Sequence, residues 1–217
     1  MLEDYTLETP ISDELQSVLT KAARPIRLSS KETLFTEFED GDAIFFILTG
    51  RLELSTVADD GRKLGLDIVS RGAVFGEIAL LDPGPRTATA MALEDSQLLM
   101  LDRAGLHHVL ERNPHLLDDI LRFIGKRMRY INDQLNEQIL LPLPKRLARK
   151  MLRLATTEED GSRCLKLSHS EVADLVGASR EAVSKALSGW KKQGFVQTGR
   201  GSIELLDEDE LQQIAGL

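Results

Sequence analysis

Two charged side chains in the run VFGEIALLDPGPRTATA, residues 74–90, have the types and spacing to hold a phosphorylated sugar. Glu77 offers a carboxylate that accepts hydrogen bonds from ribose hydroxyls. Gly76 beside it lacks a Cβ and lets the backbone approach a ligand closely. Ile78 to Leu81 is short and helix-compatible, and a helix start presents free N–H groups that suit an anion. Arg86 supplies a planar fork of donors matched to a phosphate. Thr87 adds a hydroxyl and a further backbone N–H.

These residues need a scaffold, and the surrounding pattern predicts one. Ile11 to Ala22 has helical spacing, with Ile11, Leu15, Val18 and Leu19 on one stripe. From Pro25 to Asp102 the chain becomes short β-type segments punctuated by glycine, such as Ala43–Leu48, Leu52–Val57, Leu64–Val69 and Leu98–Leu101. Asp60-Gly61 between two such segments signals a hairpin. Evenly spaced short strands predict an antiparallel roll. Leu54, Leu66 and Val74 are candidate apolar walls for its pocket. Arg103 to Asn113 predicts a short helix, and His115 to Leu140 a long one that Asn113 caps and Pro114 opens. Leu117, Ile120, Ile124, Met128, Ile131 and Leu135 follow near-heptad spacing, which predicts a dimer seam along that helix. Pro142 and Pro144 end it at a hinge, and Lys145 to Thr156 predicts a further helix.

A second constellation lies towards the C-terminus. Ser168 and Glu171 form a capping box, Gly177 suits a tight turn, and Ser179 caps a second helix. Val183, Ala186, Leu187 and Trp190 give that helix its buried face, leaving Arg180, Glu181, Ser184 and Lys185 outward. This is the layout of a helix-turn-helix, whose second helix sets its early residues against base edges in the major groove. Arg matches guanine, and Glu accepts from cytosine. Phe195–Thr198 and Ser202–Leu206 predict a small wing. The net charge of −8 argues against nucleic acid only on the whole-chain sum. Residues 1–139 hold 15 basic and 24 acidic side chains, whereas residues 162–200 hold 7 and 3, a local excess of positive charge.

Other classes are excluded or left without support. No apolar run approaches membrane-spanning length, and the acidic start Met1-Leu2-Glu3-Asp4 lacks the basic region of a secretory signal. A cytoplasmic location is expected. The single Cys164 permits neither an intrachain disulfide nor a Cys-ligated iron–sulfur cluster, and reads as a strand residue. His107 and His108 are adjacent and diverge on a helix, so no metal is expected. An enzyme on a β-roll would need clustered His and Glu ligands on strands, which the four histidines do not supply. No catalytic residues and no resident cofactor are expected.

The run at 74–90 resembles the phosphate-binding cassette of cyclic-nucleotide-binding domains. The whole chain, from about residue 15, resembles the CRP/FNR (cyclic AMP receptor protein) family of bacterial transcription regulators. The resemblance implies an α+β protein with a sensor roll over residues 1–113, a dimerisation helix and hinge over 114–141, and a winged helix-turn-helix over 142–217. It implies a ligand set of Gly76, Glu77, Ile78, Ala79, Arg86, Thr87 and Ala88, with Asn132 reaching the base from the long helix. The family's Thr-Ser pair there is Ile131-Asn132 in this chain, so the base is left open: cyclic AMP first, cyclic GMP second. A regulator of the same fold answering to cyclic di-GMP, or to no ligand, is the alternative, followed by a nucleotide-binding module without DNA function. The implied DNA-facing residues are Ser168, His169, Ser179, Arg180, Glu181 and Lys185, reading a palindromic TGTGA-like site as a homodimer. Lys185 stands where that branch has Arg, and His169 where a phosphate-contacting Arg is common. RNA polymerase is the further partner that the resemblance implies.

Overall fold

The computed structural model describes residues 12–217 and divides them into two compact units. Ile11, the first member of the N-terminal stripe, lies outside the described residues.

The first unit, within residues 12–56 and 66–133, is the roll. Helix α1 (Asp13–Ala22) starts at Ser12, whose hydroxyl accepts from the Leu15 N–H. Ten strands follow: β1 (Arg24–Leu28), β2 (Thr33–Phe35), β3 (Asp40–Gly41), β4 (Ala43–Thr49), β5 (Leu52–Val57), β6 (Lys63–Val69), β7 (Val74–Phe75), β8 (Gly84–Pro85), β9 (Thr89–Ala92) and β10 (Ser96–Asp102). Helix α2 (Glu77–Leu81) interrupts them, and α3 (Arg103–Arg112) and α4 (Leu116–Leu140) close the unit. Two four-stranded sheets, in the orders β1-β10-β4-β7 and β2-β9-β5-β6, face each other, and β3 pairs with β8 beside them.

Alternation along β4 shows how the roll is filled. Phe45 and Ile47 point between the sheets with Phe35, Leu52, Leu54, Val69, Phe75 and Leu98. Ile44 and Phe46 point the other way, into a second cluster with Leu15, Leu19, Leu106, Leu116, Ile120 and Phe123 from α1, α3 and α4. Both faces of β4 are therefore buried, and its sequence is a continuous apolar run. Three expectations are corrected here. Val74 belongs to the outer cluster, and Leu66 is exposed, so of the three wall candidates only Leu54 faces the interior. Asn113 closes α3 rather than opening α4, its Nδ2 donating to the Val109 carbonyl at 2.9 Å.

The third correction concerns α4. Its inward stripe is Leu116, Ile120, Phe123 and Tyr130, all buried. Ile120 thus leaves the expected seam, and Leu121 joins the outward stripe of Leu117, Met128, Ile131, Leu135 and Ile139, all exposed. Residues alternating by three and four return to one helix face, so two adjacent stripes share the helix.

The second unit comprises the hairpin segment Val57–Gly65 with Gln134–Leu217. It contains α5 (Leu143–Leu154), β11 (Thr156–Thr157), β12 (Arg163–Leu165), α6 (His169–Val176), α7 (Arg180–Gln193), β13 (Val196–Gly199), β14 (Ser202–Leu205) and α8 (Glu208–Ala215). Its sheet runs β11-β12-β14-β13, so β11 and β12 form a tight hairpin and Cys164 is a strand residue. Pro144 sits in the first turn of α5, where a missing N–H costs nothing. Helix α5 grips the last turns of α4. Arg149 pairs with Glu137 at 3.0 Å, Arg153 donates to Gln134 Oε1 at 3.0 Å, and Arg146 donates to the Leu141 and Val176 carbonyls.

Candidate functional site

Arg86 is the first residue of the candidate site. It is 6% exposed, although an arginine rarely tolerates such burial without an acid beside it. Its Nη1 donates to the carbonyls of Ala43 at 2.8 Å and Gly76 at 3.2 Å. The guanidinium carbon lies over the Phe35 ring, 4.3 Å from its centroid, and over the Phe45 ring at 5.4 Å. A Cβ on Gly41 would stand 2.3 Å from Arg86 Nε, and one on Gly76 would stand 3.0 Å from Nη1. The two glycines are thus the bed in which the guanidinium lies. Gly76 also has φ +82, so a side chain there would be strained twice over. Burial pushes the guanidinium below its ordinary value, and Asp42, Glu39 and Glu77 partly offset that at a distance. Nε is buried without a hydrogen-bond partner. A buried cation with a spare donor, and no touching carboxylate among the described residues, suits an anion.

Glu77 is buried at the first position of α2 and pairs with Arg127 of α4, Nε to Oε1 at 2.9 Å. Three residues on, the Tyr130 hydroxyl of α4 donates to Oδ2 of Asp67 on β6. Asp67 and Tyr130 are each 4% exposed, and the Tyr130 ring belongs to the cluster between the sheets. The structure therefore brings together Gly76, Glu77 and Arg86 as the sequence reading expects, with Ala79 buried behind them. Ala88 is half-buried, Thr87 is exposed and Ile78 is 46% exposed. Asn132 is exposed on α4. Phe35, Gly41, Asp67, Arg127 and Tyr130 are site residues that the sequence reading missed. The signal was present for the last two: positions 116, 120, 123, 127 and 130 form one helical stripe, in which a charge and a phenol interrupt apolar residues.

In the second unit α6 starts with the complete capping box of Ser168 and Glu171 and ends at Gly177, φ 59. Ser179 caps α7 by accepting from the Ala182 N–H. Val183, Leu187 and Trp190 are buried, and Arg180, Glu181 and Lys185 are exposed along the first half of α7. Ser184 departs from the expected outward set: its hydroxyl hydrogen-bonds His169 Nδ1 at 2.9 Å and ties α6 to α7. Arg200, exposed at the β13–β14 turn, is a cation that the sequence reading left out. Among the described residues no group of three or more His, Cys, Asp or Glu side chains could hold a metal, and no helix is long and apolar enough to cross a membrane.

An antiparallel sensor roll with a buried arginine bed, followed by a winged helix-turn-helix, defines the class of ligand-responsive DNA-binding regulators. The comparisons agree with this. Residues 25–113 match the cyclic nucleotide-binding domain family, and residues 145–214 match the Crp-like helix-turn-helix domain family. The chain is 33% identical over 202 residues to the CRP-like cAMP-activated global transcriptional regulator of Mycobacterium tuberculosis, covering 90% of this chain and 89% of that protein. It is 29% identical over 182 residues to the cyclic AMP receptor protein of Thermus thermophilus, covering 84% and 83%. Among solved structures, TTHA1359, a CRP/FNR-family transcriptional regulator from Thermus thermophilus, superposes with a TM-score of 0.76 at 27% identity, covering 89% of this chain and 99% of that one. The chain belongs to the CRP/FNR family of transcription regulators, with a cyclic nucleotide-binding domain and a DNA-binding helix-turn-helix.

Proposed function

We propose that the protein is a homodimeric transcription regulator of the cytoplasm, switched by a cyclic nucleotide. The observation that carries this is the buried Arg86 guanidinium, with a donor unused and no carboxylate in contact among the described residues. A cyclic phosphate supplies the missing charge. Gly76 and Gly41 let it come close, Ile78, Ala79, Thr87 and Ala88 frame it, and the ribose hydroxyls take Glu77 in place of Arg127. The relatives named above as cAMP-activated or as cyclic AMP receptors make cyclic AMP the first candidate and cyclic GMP the second. Asn132, exposed on α4, is available to the base in the dimer.

The outward stripe of α4 supports the dimer, since it exposes Leu117, Leu121, Met128, Ile131 and Leu135 on a single face. Two copies of α7 then meet DNA half-sites about one helical turn, roughly 34 Å, apart. Arg180, Glu181 and Lys185 read base edges of a TGTGA-like half-site, and Ser168, His169 and Ser179 approach the phosphates. RNA polymerase is the further partner at the promoter. Exchange of Arg127 for ligand at Glu77 gives the differential contact that shifts a two-state protein.

Calorimetry with cyclic AMP and cyclic GMP, paired with gel shifts on a TGTGA palindrome, tests this. Arg86→Ala is expected to lose nucleotide binding by at least about a hundredfold, since it removes a charge-assisted bidentate contact. It is also expected to lose nucleotide-stimulated DNA binding. Unchanged nucleotide affinity in that variant refutes the site.

A further inference from the structure

The inward face of α4 engages two carboxylates of the roll. Arg127 holds Glu77, and Tyr130 donates its hydroxyl to Asp67. Arg127 and Tyr130 are three positions apart and therefore neighbours on the helix, so the two pairs lie side by side along it. Glu77 in turn adjoins the Arg86 bed through Gly76, whose carbonyl accepts from Arg86 Nη1. Asp67 is thus a buried acceptor beside the Glu77–Arg127 pair. Its other oxygen accepts from the Ile68 N–H at 2.9 Å, which fixes the orientation of the carboxylate.

We propose that Asp67 reads the base of the nucleotide and selects guanine over adenine. The inference rests on the cyclic-nucleotide reading above and reverses its order of candidates. Both oxygens of Asp67 act as acceptors, Oδ1 from the Ile68 N–H and Oδ2 from the Tyr130 hydroxyl. Guanine presents two adjacent donors, N1–H and the N2 amino group, spaced to meet a carboxylate. Adenine presents the N6 amino group beside N1, a lone pair that would face a carboxylate oxygen. A guanine edge at Asp67 replaces the Tyr130 hydroxyl, just as the ribose replaces Arg127 at Glu77. One ligand then takes two of the polar ties that hold α4 to the roll, which makes Tyr130 a positioning residue for the switch.

Titration calorimetry of the full-length protein with cyclic GMP and cyclic AMP reads this directly. The wild type is expected to bind cyclic GMP about tenfold or more tightly than cyclic AMP, the discrimination that one bidentate base contact supplies. Asp67→Asn puts a donor where guanine needs an acceptor, and is expected to abolish the preference with cyclic AMP affinity little changed. Tyr130→Phe keeps the ring but removes the hydroxyl that donates to Asp67, and is expected to tighten cyclic GMP by about tenfold while cyclic AMP gains less. Equal or tighter binding of cyclic AMP by the wild type overturns the assignment and leaves the cyclic-nucleotide reading intact, as does a preference that survives Asp67→Asn. Binding of neither nucleotide to the wild type overturns both.

Discussion

Gly41 carries no chemistry, yet Arg86 depends on it. A methyl group there would stand 2.3 Å from Nε, and 2.5 Å from Cζ, of a guanidinium that is stacked on Phe35 and hydrogen-bonded to Ala43. Gly41→Ala is therefore expected to weaken nucleotide binding by about tenfold or more, because the arginine must leave its bed; calorimetry beside Arg86→Ala measures it. Recognition on α7 follows a different logic, because Glu181 is exposed and capable of reading a base edge. Glu181→Ala is expected to relax discrimination at one half-site position by about 1–3 kcal/mol, with non-specific DNA affinity held or raised in competition gel shifts. The residues that sequence alone made legible, Gly76, Glu77 and Arg86, are close in the chain and act through local geometry. Asp67 and Arg127 were not legible, because their partners stand 63 and 50 positions away.

At the scale of elements, α4 explains both what could be read and what could not. A near-heptad spacing is visible in the sequence, but two stripes one residue out of step share this helix. Which of Ile120 and Leu121 faces outward depends on the roll surface that receives Ile120, and that surface is built by residues far away in the chain. Asn113 had two helix ends within reach, and both its backbone N–H and its Nδ2 donate to the Val109 carbonyl of α3. The helix-turn-helix was legible almost in full, because caps and turns are chemistry of consecutive residues. The joint between α4 and α5 is built from polar contacts, with Glu137 and Arg149 each about four-fifths buried. Glu137→Ala is expected to leave nucleotide affinity unchanged while lowering nucleotide-stimulated DNA affinity by about fivefold, on the order of 1 kcal/mol. Anisotropy with labelled DNA, with and without nucleotide, separates the two effects.

At the scale of the molecule, the negative charge lies before residue 140 and the basic excess within 162–200. Two DNA-reading units of this kind act together only if α4 pairs with a second copy. Leu135→Glu places charge in the exposed stripe and is expected to give a monomer by analytical ultracentrifugation, with palindrome affinity falling towards that of a single half-site. Trp190 adds a consequence of another kind. It is the only tryptophan in the sequence, and it is 7% exposed on the buried face of α7. Light absorbed at the red edge of the protein's ultraviolet band is therefore emitted from the DNA-reading unit alone. The cyclic nucleotide-binding domain, residues 25–113, holds no tryptophan and is dark at that wavelength. Any change in emission on adding a cyclic nucleotide is then a message that has arrived at α7, which makes the chain its own optical recorder of signal transmission.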